Sequence, residues 1–126
     1  MMNKLLLNDF FTVETKTPLA ENSFRCEVAL NAAHPVFKGH FEQMPVVPGV
    51  CQCQMIMELL QEETGKSLWM PEGDNIKFTG MIVPTQHPRV FVDISYKTAE
   101  NDLLTEAKIY LESTIFTKFK GVFKTI

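Results

Sequence analysis

The run Gly39-His40-Phe41-Glu42-Gln43-Met44-Pro45-Val46-Val47-Pro48-Gly49-Val50, leading into Cys51-Gln52-Cys53-Gln54-Met55-Ile56-Met57-Glu58-Leu59-Leu60, decides how the rest of the chain is read. Val50, Cys53, Met57 and Leu60 recur at helical spacing, Gln52, Glu62 and Glu63 fall off that stripe, and Gly65-Lys66 gives a stop signal. The spacing predicts a helix over Val50–Thr64. Upstream, Asn31 to Val47 carries Pro35, Gly39 and Pro45 and no sustained period, so it reads as a long ordered loop, a feature that is usually functional in a compact domain.

Outward from this centre the pattern turns to strands. Phe10–Thr17 and Phe24–Leu30 carry β-branched and aromatic residues in partial alternation, separated by the turn-rich Pro18-Leu19-Ala20-Glu21-Asn22-Ser23. After the helix, Asn75–Val83, Arg89–Lys97, Leu103–Glu112 and Thr114–Lys124 read as further strands, with breaks at Pro84–Pro88 and Ala99–Asp102. Two strands, one helix and four strands predict an α+β fold, in which an antiparallel sheet of about six strands buries its apolar face by curling round the helix.

The 126 residues are enough for a single domain spanning 1–126 with one sizeable core. A 45% hydrophobic content with 10 Phe fits a packed protein rather than a disordered one. The net charge of −3 gives no electrostatic case for nucleic acid or an anionic membrane, so the expected ligand is small or carried by another protein. Leu5-Leu6-Leu7 is too short a run for a signal segment or a membrane span. Cys26, Cys51 and Cys53 form no paired framework, which points to a cytoplasmic chain with reduced thiols. Cys51 and Cys53, two apart on a helix, cannot clamp one metal and are expected to be packing residues; no metal or cofactor is expected.

Pro48 and Gly49 enter the helix without a Ser, Thr, Asp or Asn cap, leaving its first N–H groups without side-chain acceptors. A thioester or enolate oxygen would serve, favoured by the helix dipole and by the close approach Gly49 permits. Water or a neighbouring loop would satisfy the same groups. His40, between Gly39 and Phe41 in the loop leading to this helix, titrates near neutrality and suits proton removal beside a carbonyl, although a structural role is open on the residues alone. His34 and His87, each followed by proline, read as surface or turn residues.

His34-Pro35-Val36-Phe37-Lys38-Gly39-His40-Phe41, followed by Pro45-Val46-Val47-Pro48-Gly49-Val50, strongly resembles the active-site segment of bacterial 3-hydroxyacyl-acyl-carrier-protein dehydratases. Their signature is Pro-Phe-Phe-x-Gly-His-Phe-Pro, then Pro-x-x-Pro-Gly-Val. Weaker similarity continues at Asn75-Ile76-Lys77-Phe78 and Val83-Pro84. The resemblance implies a hotdog fold, a homodimer or higher homo-oligomer with each site at the dimer interface, acyl carrier protein as partner, no nucleic acid and no stable membrane insertion. It implies dehydration of a 3-hydroxyacyl thioester to a trans-2-enoyl thioester, as in fatty acid or related acyl-chain biosynthesis. His40 would be the base, the amide of Gly49, with Val50, would hold the thioester carbonyl, and Phe41 would line the acyl site.

Two departures stand out. Glu42 replaces the proline that usually follows Gly-His-Phe, and Gln54 stands where the family has its acid, with Glu58 where the family commonly has Gln. Residues four apart lie one above the other on a helix, about 6 Å apart. One expectation is therefore that Glu58 supplies the acid from one turn away while Gln54 orients the hydroxyl. The other is that Glu58 is a solvated or salt-bridged helix residue and the site is weakened. A hotdog thioesterase and a non-catalytic thioester-binding domain are the alternative functions.

Overall fold

The computed structural model describes residues 6–37, 45–71 and 73–126, with the side chains of 73 and 74 excepted. Period-two alternation builds the sheet. In β2 (Ser23–Leu30) Phe24, Cys26 and Val28 point inward, and in β5 (Arg89–Ala99) Val90, Val92 and Ile94 do. The same holds for Leu103, Thr105, Ala107 and Ile109 in β6 (Asp102–Leu111), and for Thr117, Phe119 and Phe123 in β7 (Thr114–Thr125), where a register shift leaves Phe116 buried out of phase.

With β1 (Phe11–Ala20) the order is β1-β2-β5-β6-β7, every pairing antiparallel. The short β3 (Leu68–Trp69) and β4 (Gly73–Phe78) lie end to end along the far edge of β7, against residues 124–125 and 117–121 respectively. The sheet is thus six positions wide, although seven segments build it. The β5–β6 and β6–β7 turns fall where expected, whereas Pro18–Ala20, read as part of a turn, continue β1 and leave only Glu21-Asn22 before β2; Asn22, Glu100 and Glu112 supply the positive φ that tight turns require.

The helix α1 (Gly49–Thr64) ends on Gly65 at φ 70°, whose N–H bonds the Gln61 carbonyl at 2.8 Å, so the stop signal works as an αL cap. Its Met55, Ile56, Leu59 and Leu60 enter one core with Phe24, Val92, Ile94, Ile109 and Phe123. Phe10, Phe11, Phe24 and Phe123 are no more than 2% exposed, and burying each such ring contributes about 1.5–3 kcal/mol. A curled antiparallel sheet round one helix is the hotdog arrangement.

Two further details differ from the sequence reading. The strand expected over Asn75–Val83 stops at Phe78, because the N–H groups of Thr79 and Gly80 both turn onto the Phe116 carbonyl, at 2.8 and 3.2 Å. Ile82 and Val83 are buried as loop residues, and the Ile82 carbonyl accepts the Val47 N–H at 2.9 Å, tying this loop to the segment before the helix. The helix is also rotated from the expected stripe. Val50 is 77% exposed and Cys53 and Met57 only half-buried, whereas Gln52 and Glu58 are buried. A helix held inside a curled sheet is covered over most of its circumference, so polar residues with internal partners replace a simple apolar stripe. Burial raises the Cys51 and Cys53 thiol pKa values, as befits free packing cysteines.

Candidate active site

Pro48 is extended (φ −63°, ψ 148°) and provides no side-chain cap to α1. Its carbonyl accepts the N–H groups of Cys51 and Gln52, at 3.0 and 3.1 Å. The amide of Gly49 opens this turn beneath an aromatic ring. A Cβ on Gly49 would sit 2.7 Å from Cζ of Phe78, so glycine is what lets the Phe78 ring lie on the helix start. Phe78 is itself 51% exposed, and with Val50 it makes an apolar rim around the uncapped turn.

Gln52 fixes this turn from below. Its Nε2 donates to the Val47 carbonyl at 3.2 Å, and its Oε1 accepts the hydroxyl of Thr117 on β7. Both side chains are buried and satisfied. A polar residue just inside an uncapped helix gave a signal for this anchor that the helical periodicity concealed.

One turn further along, Gln54 and Glu58 are joined. Gln54 Nε2 donates to Glu58 Oε2 at 2.7 Å. The same Oε2 accepts the backbone N–H of Leu6 at 2.9 Å, and Oε1 accepts that of Leu7 at 2.7 Å. Glu58 is 1% exposed, and among the described residues three N–H donors, and no surface cation, surround it. Gln54 remains half-buried, about 7.5 Å along the axis from Gly49. The structure therefore brings Gln54 and Glu58 into contact and places Gly49 and Val50 at the start of the same helix. His40 and Phe41 lie outside the described residues.

His34 and His87 serve local structure. His34 Nδ1 accepts the Val36 N–H at 3.0 Å and its Nε2 meets Asp9 at 3.1 Å, while His87 Nδ1 accepts the Val83 N–H at 3.0 Å.

The fold also assembles a feature that was scattered in the sequence. On the outer sheet face Lys77 of β4 is directly opposite Lys118 of β7, which is directly opposite Lys108 of β6. Lys120 follows on the same face, and all four are exposed. They line a depression of about 410 Å³ together with Asp93 and Glu106. Asp93 is already held by Arg25 at 2.8 and 3.1 Å and by the Tyr110 hydroxyl at 3.1 Å. Lys118 thus faces a like charge on both sides, a destabilising arrangement, whereas Lys108 is also opposite Asp93 and Lys120 is opposite Glu106; with four lysines against two carboxylates the face is basic on an acidic chain.

The ApeI-like family model, described as ApeI dehydratase, matches residues 15–113. The 3-hydroxyacyl-[acyl-carrier-protein] dehydratases FabZ of Streptococcus mutans and Streptococcus sanguinis are each 40% identical to the chain over 57 residues. That match covers 40% of this chain and 41% of each relative, so the chain spans about two-fifths of the length of these curated relatives. Among solved structures, the dehydratase heterocomplex ApeI:P from Xenorhabdus doucetiae superposes with a TM-score of 0.67 at 17% identity, over 90% of this chain and 95% of that one. An uncharacterized protein from Erwinia carotovora subsp. atroseptica superposes at 0.60 with 20% identity, over 90% and 94%. At these identities the likeness is one of fold. No helix among the described residues is long and apolar enough to cross a membrane.

Proposed function

Since the chain belongs to the ApeI-like dehydratase family, we propose that it eliminates water from a 3-hydroxyacyl chain held as a thioester. The observation that carries this reading is the uncapped start of α1 at Gly49, directly after the segment that resembles the dehydratase signature. In the proposed reaction the thioester carbonyl accepts the Gly49 N–H, with Val50 beside it, and the helix dipole stabilises the charge that develops on oxygen. His40 takes the proton from C2. The released electron pair forms the C2–C3 double bond as the C3–O bond breaks, and the hydroxyl leaves as water with a proton taken from solvent. Phe41 and Phe78 would flank the acyl chain.

Gln54 and Glu58 are the polar groups assigned to the leaving hydroxyl. A carboxamide holds a hydroxyl but delivers no proton, so elimination is expected to be slow for this family. That same observation favours one second reading, a subunit that binds the thioester without turning it over.

An acidic acyl carrier protein as the substrate's carrier is supported by the basic island of Lys77, Lys108, Lys118 and Lys120. Assembly of two chains is supported by the half-exposed apolar flank of Val50, Cys53 and Met57, and the solved ApeI:P neighbour is itself a heterocomplex. Free Cys26, Cys51 and Cys53 suit the cytoplasm. The test is turnover of a 3-hydroxyacyl thioester followed by enoyl absorbance and by thiol release. Enoyl product without free thiol supports dehydration; free thiol without enoyl product would make the chain a thioesterase.

A further inference from the structure

The geometry points to Glu58 as a positioning residue that orients the Gln54 carboxamide, and thereby makes the site selective for a hydroxyl at C3. This rests on the reading of the site as one for 3-hydroxyacyl thioesters. Among the described residues every hydrogen bond to Glu58 is a donation into it: Leu7 N–H to Oε1, and Leu6 N–H and Gln54 Nε2–H to Oε2. With a residue exposure of 1% and both oxygens accepting, it occupies a holding position rather than one from which a proton is handed on.

The consequence falls on Gln54. A carboxamide has two faces to offer, an acceptor oxygen and a donor nitrogen, and free rotation leaves either one facing a ligand. Here one Nε2 hydrogen is committed to Glu58 at 2.7 Å, and turning the amide over would set Oε1 against a carboxylate oxygen. Oε1 is therefore directed away from Glu58, where it accepts from a hydroxyl. A 3-hydroxyl can donate to it; a 3-keto group or a bare methylene cannot. The backbone of Leu6 and Leu7, more than 50 residues away in sequence, thus becomes part of the specificity apparatus, because it fixes the carboxylate that fixes the amide.

The experiment measures Kd by titration calorimetry for 3-hydroxyoctanoyl-pantetheine and octanoyl-pantetheine in which nitrogen replaces the thioester sulfur, so that neither ligand is hydrolysed as a thioester. The wild-type chain is expected to prefer the hydroxyl compound by roughly 3- to 10-fold, the value of one hydrogen bond in such a site. Glu58→Gln frees the Gln54 amide to flip and is expected to abolish the preference. Leu7→Pro keeps both side chains but removes one donor to the carboxylate, and is expected to reduce it. Glu58→Asp keeps an acceptor-only carboxylate beside the Gln54 amide and should restore part of the preference that Glu58→Gln loses, which a purely structural role for Glu58 would not produce. An unchanged preference in folded Glu58→Gln and Leu7→Pro overturns the inference while leaving the thioester reading intact. If the wild-type chain binds neither compound, the thioester reading itself fails.

Discussion

Thr117→Val tests the anchor beneath the candidate site. Valine has nearly the shape of threonine and suits a strand, so the substitution removes only the hydroxyl that donates to Gln52 Oε1. Thr117 is 1% and Gln52 3% exposed, so water cannot replace the lost donor without opening the core. Leaving a buried acceptor unpaired costs about 1–3 kcal/mol, offset by up to about 0.8 kcal/mol for the added buried methyl. The net expectation is a loss of about 1–2 kcal/mol, or roughly 4–8 °C in Tm for a chain of 126 residues. Gln52→Leu should cost about as much, since it orphans both the Thr117 hydroxyl and the Val47 carbonyl. The double variant removes both partners of the short link, so its cost should fall below the sum of the two by about 1 kcal/mol. Urea unfolding at constant m-value reads all three. A loss under about 0.3 kcal/mol for Thr117→Val, or strict additivity in the double variant, would refute the claim that this pair ties α1 to β7.

Gly49→Ala places a methyl 2.7 Å from Cζ of Phe78, and because that ring is half exposed it can swing aside. Stability should change by less than about 1 kcal/mol while turnover falls about 10²-fold, because the methyl and the displaced ring keep the thioester from closing on the retained Gly49 N–H; equal turnover would remove Gly49 from the site. Lys118→Glu converts a repulsive row into an alternating one. It should raise stability by about 0.5 kcal/mol at low salt and raise KM for carrier-bound substrate but not for a pantetheine thioester. A parallel change in both KM values would disconnect the island from the carrier. Burial, against the pull of Lys16, pushes the Cys26 thiol up to about 11 from its ordinary 9. The folded chain then keeps a proton that the unfolded chain has lost, so stability should fall as pH rises from 9 to 11, by up to about 3 kcal/mol. Urea midpoints for Cys26→Ala should lose most of that slope; an unchanged slope would assign it elsewhere.

The strands from Arg89 onward were legible because each buries one face against a helix and exposes the other, which is the condition under which alternation survives in sequence. The segment from Thr79 to Val83 misled because an apolar run is equally compatible with a strand and with a loop inserted into the core, and Ile82 and Val83 are the latter. The helix was evident, its orientation was not: a helix enclosed by a curled sheet buries Gln52 and Glu58 through partners on other elements, which periodicity does not encode. Gly49 and Gln54 were visible in one short stretch. The contact of Glu58 with Leu6 and Leu7, and the alignment of Lys77, Lys118 and Lys108, arise only from register and chain crossing.

In the proposed site His40 and the carbonyl-binding turn at Gly49 act together while a carboxamide, Gln54, stands in the place of the acid. Mass spectrometry of a 3-hydroxyacyl pantetheine thioester incubated with the protein in deuterated water measures this directly, because proton removal at C2 is recorded as deuterium even when the hydroxyl stays. The account expects deuterium to enter at C2 faster than water is lost, with both abolished in His40→Ala, and expects Gln54→Glu/Glu58→Gln to raise elimination by about 10²-fold or more. Elimination with no excess exchange in the wild-type chain, or neither reaction in a folded protein, would contradict it.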